Sequence, residues 1–251
     1  MTNILKELKE YPILFSAPMV NAILDDRKTM TRRVVNPQPE IAYIERNGGW
    51  LEKKTSKGGN IFLSNTGDEI GKTEHGWLKF PYGGGYFRKD IIGTLLWVRE
   101  AWQALAEYDH LEPSEIPAGS DILYNADRPD MPWDSRKRNL LFMPRWASRI
   151  QLKITDIRVE RLHDISEEDA KSEGIVFAGK SVNEFDMYAH RGAVHTMTEL
   201  GGLGNSNVVD VEFIGRTAKQ AFTKLWHKIN GTESWAQNPW VWAVEFERIK
   251  P

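Results

Sequence analysis

The chain has 251 residues, 41% hydrophobic and 27% charged, with 33 basic against 35 acidic side chains and a formal net charge of −2. That balance excludes whole-chain disorder and a strongly basic nucleic-acid coat, so any nucleic-acid site has to be a local patch. There is no cysteine, which excludes disulfides, Cys-ligated zinc, iron–sulfur clusters and a cysteine nucleophile.

The first ten residues are a mixed Lys/Glu run rather than a signal peptide. The uncharged stretch from Tyr11 to Leu24 is too short to span a bilayer. A cytoplasmic protein with no membrane partner is expected. Pro12-Ile13-Leu14-Phe15 predicts a short buried strand. Pro18 opens a helical pattern in which Met19, Val20, Ile23 and Leu24 share one apolar face. Then comes Asp25-Asp26-Arg27-Lys28-Thr29-Met30-Thr31-Arg32-Arg33, with four cations in seven residues. Two readings stand: a solvated charged turn, or a patch whose Arg forks and Thr hydroxyls contact phosphate or base. Thr31 is a candidate nucleophile and Lys28 its candidate base; the two share a face if the segment is a helical turn.

Residues 47–93 hold eleven of the twenty glycines and predict loops and loose hairpins. After Gly93, Leu95-Leu96-Trp97-Val98 predicts a second strand. Glu100 beyond it is either an arginine's partner or a catalytic acid. Arg136-Lys137-Arg138, Arg145 and Arg149 form a second basic set around Trp146, readable as a nucleic-acid groove or as a strand entrance with snorkelling arginines. From Ala147 to Leu162 the chain alternates, with a phase slip at Thr155-Asp156 that predicts a bulge. Ser166-Glu167-Glu168-Asp169 predicts the start of a short helix and Gly174 its end. Residues 176–215 are a second irregular stretch. Thr217-Ala218-Lys219-Gln220 starts an amphipathic helix with Ala218, Ala221, Phe222, Leu225, Trp226 and Ile229 on its stripe, ending at Gly231. The last strand is Trp240 to Ile249, with Trp240, Trp242, Val244 and Phe246 on one face. The Trp-rich tail reads as core.

The sum is an α+β chain: an open, partly closed β-barrel, antiparallel or mixed, with three short helices covering its openings. A single domain, 1–251, carries two long loop insertions at about 34–92 and 176–215. The six histidines are scattered, and no metal-ligand spacing or Walker motif is present. No metal and no cofactor are expected.

Three features together are similar to the ASCH domain family of the PUA-like superfamily, in its larger phage and prophage form. They are Arg27-Lys28-Thr29-Met30-Thr31-Arg32-Arg33 after a short helix, the Leu96-Trp97-Val98-Arg99-Glu100 strand, and Ile165-Ser166-Glu167-Glu168-Asp169-Ala170 running to Glu173-Gly174-Ile175. The closing Phe222…Leu225-Trp226…Asn238-Pro239-Trp240-Val241-Trp242 resembles it too. The resemblance spans roughly 11–34, 93–175 and 217–249. It implies a PUA-like barrel with a cleft for RNA or a modified nucleoside beside the first helix. A small bacterial member removes the acetyl group from N4-acetylcytidine with a Lys and a Thr three residues apart and a Glu in the short helix. Lys28, Thr31 and Glu173 match those positions, as base, nucleophile and orienting group. Arg32 or backbone N–H groups would serve the oxyanion. Two other functions stay open. One is a non-catalytic regulator binding RNA or DNA through Arg27, Arg32, Arg33, Arg145 and Arg149. The other is a metal-independent ribonuclease using Lys28, Glu173 and Glu100. The family usually has Gly where Asp26 stands, and the Asp26 carboxylate is expected to raise the Lys28 pKa.

Overall fold

The computed structural model describes residues 10–35, 38–40, 50–55, 60–64, 92–127, 134–180, 186–190 and 215–250. Glu10–Leu14 forms β1 and Ala17–Leu24 forms α1. Pro18 lies in the first turn of α1, where its missing N–H removes no helical bond. Met19, Val20, Ala22 and Ile23 are buried along its length. Met30–Val34 follows as β2. Leu95–Arg99 is β6 and Gln151–Arg161 is β9. Trp240–Ile249 is β12. These strands make one five-stranded sheet in the order β1-β6-β9-β12-β2. β1 runs parallel to β6, and every other pair is antiparallel. The molecule is therefore of mixed α+β content, with a curled half-barrel sheet and a few short helices.

The phase slip at Thr155 is a bulge. Glu245 of β12 faces Asp156, whereas Phe246 faces Ile154, so Thr155 is the extra residue. The slip lets Ile154 and Ile157 both enter the core, each about 1% exposed or less. Alternation along β12 puts Trp242, Val244 and Phe246 into the core that α1, β1 and β6 complete with Ile13, Phe15, Val20 and Leu96. A second apolar cluster covers the outer face. It joins Val241 of β12 to Glu167–Ser172 (α2) and Ala218–Asn230 (α3) through Ala170, Ala221, Phe222, Leu225 and Trp226.

Both capping predictions hold. Ser166 accepts from the Asp169 N–H and Thr217 from the Gln220 N–H. The α3 stripe is buried as its spacing predicts, except Ile229, which is 54% exposed. Another α-helix, Thr232–Ala236 (α4), follows directly on Gly231; its five residues are too few for a periodicity to reveal. Trp97, Trp102, Trp240 and Trp242 are all buried, which makes them core rather than a stacking platform.

Several pieces of the expected insertions are regular. Pro39–Glu40 (β3), Trp50–Thr55 (β4) and Asn60–Ser64 (β5) form a three-stranded antiparallel sheet. Ile175–Lys180 (β10) and Asp186–His190 (β11) form a hairpin. Apart from Val34, Val35, Gln38, Ile92 and Gly215, the rest of both insertions lies outside the described residues. Trp102–Ala104 (β7) and Ile122–Tyr124 (β8) pair over a third small apolar cluster. Among the described residues, no helix is long and apolar enough to cross a membrane.

Leu96 is fully buried at the centre of the main core. Leu96→Ala should lower the free energy of unfolding by about 2–5 kcal/mol, read as a shift of the denaturation midpoint in urea.

Candidate functional site

The site begins where α1 ends. Its last turn is tightened by the Lys28 and Arg27 N–H groups, both donating to Ala22 O. Asp26 sits in the left-handed region at φ 57, the conformation that favours a glycine. The Thr29 N–H then bonds Ser172 O, and Lys28 makes an isolated bridge with Glu173. The Lys28 segment is thus stitched to the C-terminal end of α2. Gly174 permits this approach. Its φ is +100, and a Cβ there would stand 3.2 Å from Ala22 Cβ and 3.5 Å from Lys28 Cβ.

The consequence is a buried ion pair. Lys28 Nζ lies 2.6 Å from Glu173 Oε2, with the two side chains 0% and 4% exposed. The ammonium also donates to Met30 O at 2.8 Å and Glu173 O at 3.0 Å. All three N–H bonds of the ammonium are thereby used. Burial pulls the Lys28 pKa below the ordinary lysine value, while the adjacent Glu173 charge works in the opposite direction.

Glu173 is also the first member of a wider network. Arg32 Nη1 reaches its Oε1 at 3.4 Å. Arg32 further binds Glu160 Oε1 and, at 2.7 Å, Asp169 Oδ2. Arg158 closes the far side on Glu160, Asp169 and Glu245. Burial raises the Asp169 pKa, but Arg158 and Arg32 outweigh it and hold the carboxyl below its usual range. Cations and carboxylates alternate through the network, which is how charges this deep stay tolerable.

β2 explains where the other side chains go. Met30 and Arg32 share one face, and Arg32 Nη1 contacts Met30 Sδ. Thr31 and Arg33 share the other, and Arg33 Nη1 donates to Thr31 Oγ1 at 2.7 Å. Arg33 Nη2 donates to Leu14 O at 3.1 Å, tying edge strand β2 to edge strand β1. Its guanidinium also lies over the Phe15 ring, 5.5 Å from the centroid.

At this seam opens a cavity of about 370 Å³. One wall is polar: Thr31, Arg32, Arg33 and Glu173. Most of the remaining lining is apolar, from Met19, Leu140, Phe222, Leu225, Trp226 and Ile229 among others. Such a space admits a small ligand with a flat apolar body and a polar edge.

Sequence reasoning brings Lys28, Thr31 and Glu173 into one neighbourhood, and in the structure Thr31 and Glu173 line the same cavity with Lys28 directly behind Glu173. Four expectations need correction. Lys28 and Thr31 do not share the face of a helical turn, because the segment is extended and its ladder bonds go to β12. No hydrogen bond joins Lys28 Nζ to Thr31 among the described residues. Arg32 does not present a free fork to phosphate or oxyanion: its side chain is 0% exposed and bound to three carboxylates. Asp26 does not act on Lys28 as expected, since its carboxylate turns outward to Arg248 and Lys250.

The remaining candidates stand apart from the cavity. Arg27 pairs with Asp25 and Arg145 with Glu10. Arg149 binds both oxygens of Glu100, at 2.9 and 3.1 Å, and stacks 3.9 Å from the Tyr124 centroid. Burial pushes Glu100 upward against the pull of Arg149. Among the described residues no three His, Asp or Glu side chains group as metal ligands do. Comparison with protein-family models, curated proteins and solved structures finds no match to this chain.

Among the scattered histidines, His190 ends β11 opposite Ile175, next to Gly174 and close to the ion pair. It is buried, and its Nε2 has no hydrogen-bond partner among the described residues. Burial first, then the charges of Lys28 and Arg27, lowers its pKa to about 4. The unfolded chain binds this proton near pH 6.5 while the folded one does not. The stability is therefore intact above pH 6.5 and is lost as pH falls toward 4. The loss should be on the order of 3 kcal/mol. Denaturation midpoints measured across pH 4 to 7 should fall more steeply for the native chain than for His190→Gln.

Proposed function

We propose that this protein is an amidohydrolase that removes the acyl group from an N4-acylated cytosine, as base or nucleoside. The observation that carries the reading is a cavity lined by both Thr31 and Glu173, with the buried Lys28 amine bonded to Glu173.

Thr31 is the nucleophile. A threonine hydroxyl attacks only if a base takes its proton. Lys28 is that base: burial favours its neutral amine, against the pull of the Glu173 charge 2.6 Å away, and it takes the Thr31 proton as the hydroxyl attacks. Thr31 Oγ1 bonds the acyl carbon, and the bond from that carbon to N4 breaks. The exocyclic nitrogen leaves as an amine, taking the proton held by the Lys28–Glu173 pair. Water then cleaves the acyl-threonine, giving the free carboxylic acid and the original hydroxyl. Arg33 is the one cation on the cavity wall with no carboxylate partner among the described residues, and we assign it as the oxyanion donor. The apolar wall from Phe222, Leu225 and Trp226 suits a pyrimidine ring.

The reading as a phosphate-gripping regulator has less support. Of its five arginines, Arg27, Arg32, Arg145 and Arg149 are neutralised by carboxylates. A ribonuclease that used Glu100 would need it beside Lys28, whereas it is bound to Arg149 outside the cavity lining.

The purified protein should convert N4-acetylcytidine to cytidine and acetate, followed by chromatography. Thr31→Ala and Lys28→Ala should each lose about a thousandfold or more in kcat/KM. Wild-type turnover in a folded Thr31→Ala protein would overturn the mechanism.

A further inference from the structure

The contact between Arg33 and Thr31 has the wrong sense for a resting nucleophile. Arg33 Nη1 donates into the Thr31 hydroxyl oxygen at 2.7 Å. That bond occupies a lone pair on the atom that must attack, and a charged donor withdraws electron density from it. The same guanidinium holds only neutral acceptors elsewhere: Leu14 O at 3.1 Å and Arg32 O at 3.0 Å. No carboxylate pairs with it among the described residues, in contrast to Arg32 next to it. Arg33 is thus a full charge on weak partners, lining a cavity large enough for a ligand.

We propose that Arg33 is a latch on Thr31, released only by a ligand that presents an acceptor oxygen to the guanidinium. This rests on Thr31 being the nucleophile. Before a ligand binds, the latch keeps the hydroxyl unreactive and clips the β1–β2 seam through Leu14 O. A ligand carbonyl, gaining negative charge as it is attacked, is a better acceptor than a hydroxyl, so the fork transfers to it. Thr31 is freed at the moment its target is in place. The latch makes Arg33 a specificity-determining residue. It selects acyl ligands that engage the guanidinium and protects Thr31 from small electrophiles that do not.

The test compares two substrates. One is N4-acetylcytidine; the other is p-nitrophenyl acetate, whose activated ester depends little on oxyanion help. With the ester, Thr31 Oγ1 bonds the acetyl carbon as p-nitrophenolate leaves and the Thr31 proton passes to Lys28. Water then releases acetate and restores the hydroxyl. In Arg33→Gln the amide kcat/KM should fall by about a hundredfold, while ester hydrolysis rises several-fold. Arg33→Lys keeps the charge without the fork and should lie between. The ester gain should vanish in the Thr31→Ala/Arg33→Gln double variant. Equal losses on both substrates, in variants with native circular dichroism, would overturn the latch and leave Arg33 as a structural clip. If Thr31→Ala alone leaves both rates unchanged, the nucleophile assignment is what fails, and the latch falls with it.

Discussion

The Lys28–Glu173 pair is the constraint on which the rest of the site depends. Two full charges stand in a space with 0% and 4% exposure of their side chains. Desolvating each costs several kcal/mol, and the pair is tolerable only if every donor and acceptor is met. The surrounding geometry follows from that requirement. Met30 O and Glu173 O take the remaining ammonium protons. Arg32 supplies Glu173 with its second cation. Gly174 takes a left-handed φ so that α1, Lys28 and the end of α2 can come within van der Waals distance. The half-barrel and its outer helices serve to bring three short segments to one point.

Much of this architecture was legible in the sequence. The caps at Ser166 and Thr217, the stop at Gly174 and the bulge at Thr155 each leave a local mark, because backbone geometry selects particular residue types or shifts a two-residue alternation. The neighbourhood of Lys28, Thr31 and Glu173 was reached through resemblance, not through spacing. What local pattern could not supply was partnership. Arg27, Arg32, Arg145 and Arg149 read alike as free basic residues, yet each is answered by a carboxylate, most of them far away in sequence. Charge pairing across a fold has no periodicity to read.

A helical turn over residues 28–31 would place i and i+3 together, Lys28 beside Thr31. The segment is a strand, which places i and i+2 together, and so joins Thr31 to Arg33 instead of to Lys28. The burial of His190 was not legible for a different reason. The residue lies on a hairpin within a glycine-rich stretch, and only tertiary packing of β11 close to the ion pair gives it its setting.

The separation of the parts along the chain also bears on how the molecule assembles. Lys28 and Glu173 are 145 residues apart, and among the described residues β2 pairs in its ladder only with β12, far along the chain. Contacts of such long range carry a high loop-closure cost and come late in folding. Until the end of α2 docks beside residues 28–29, the lysine amine has neither its carboxylate nor its shelter. Under the proposed function, activity would be withheld from any partly folded form in which Lys28 and Glu173 have not met.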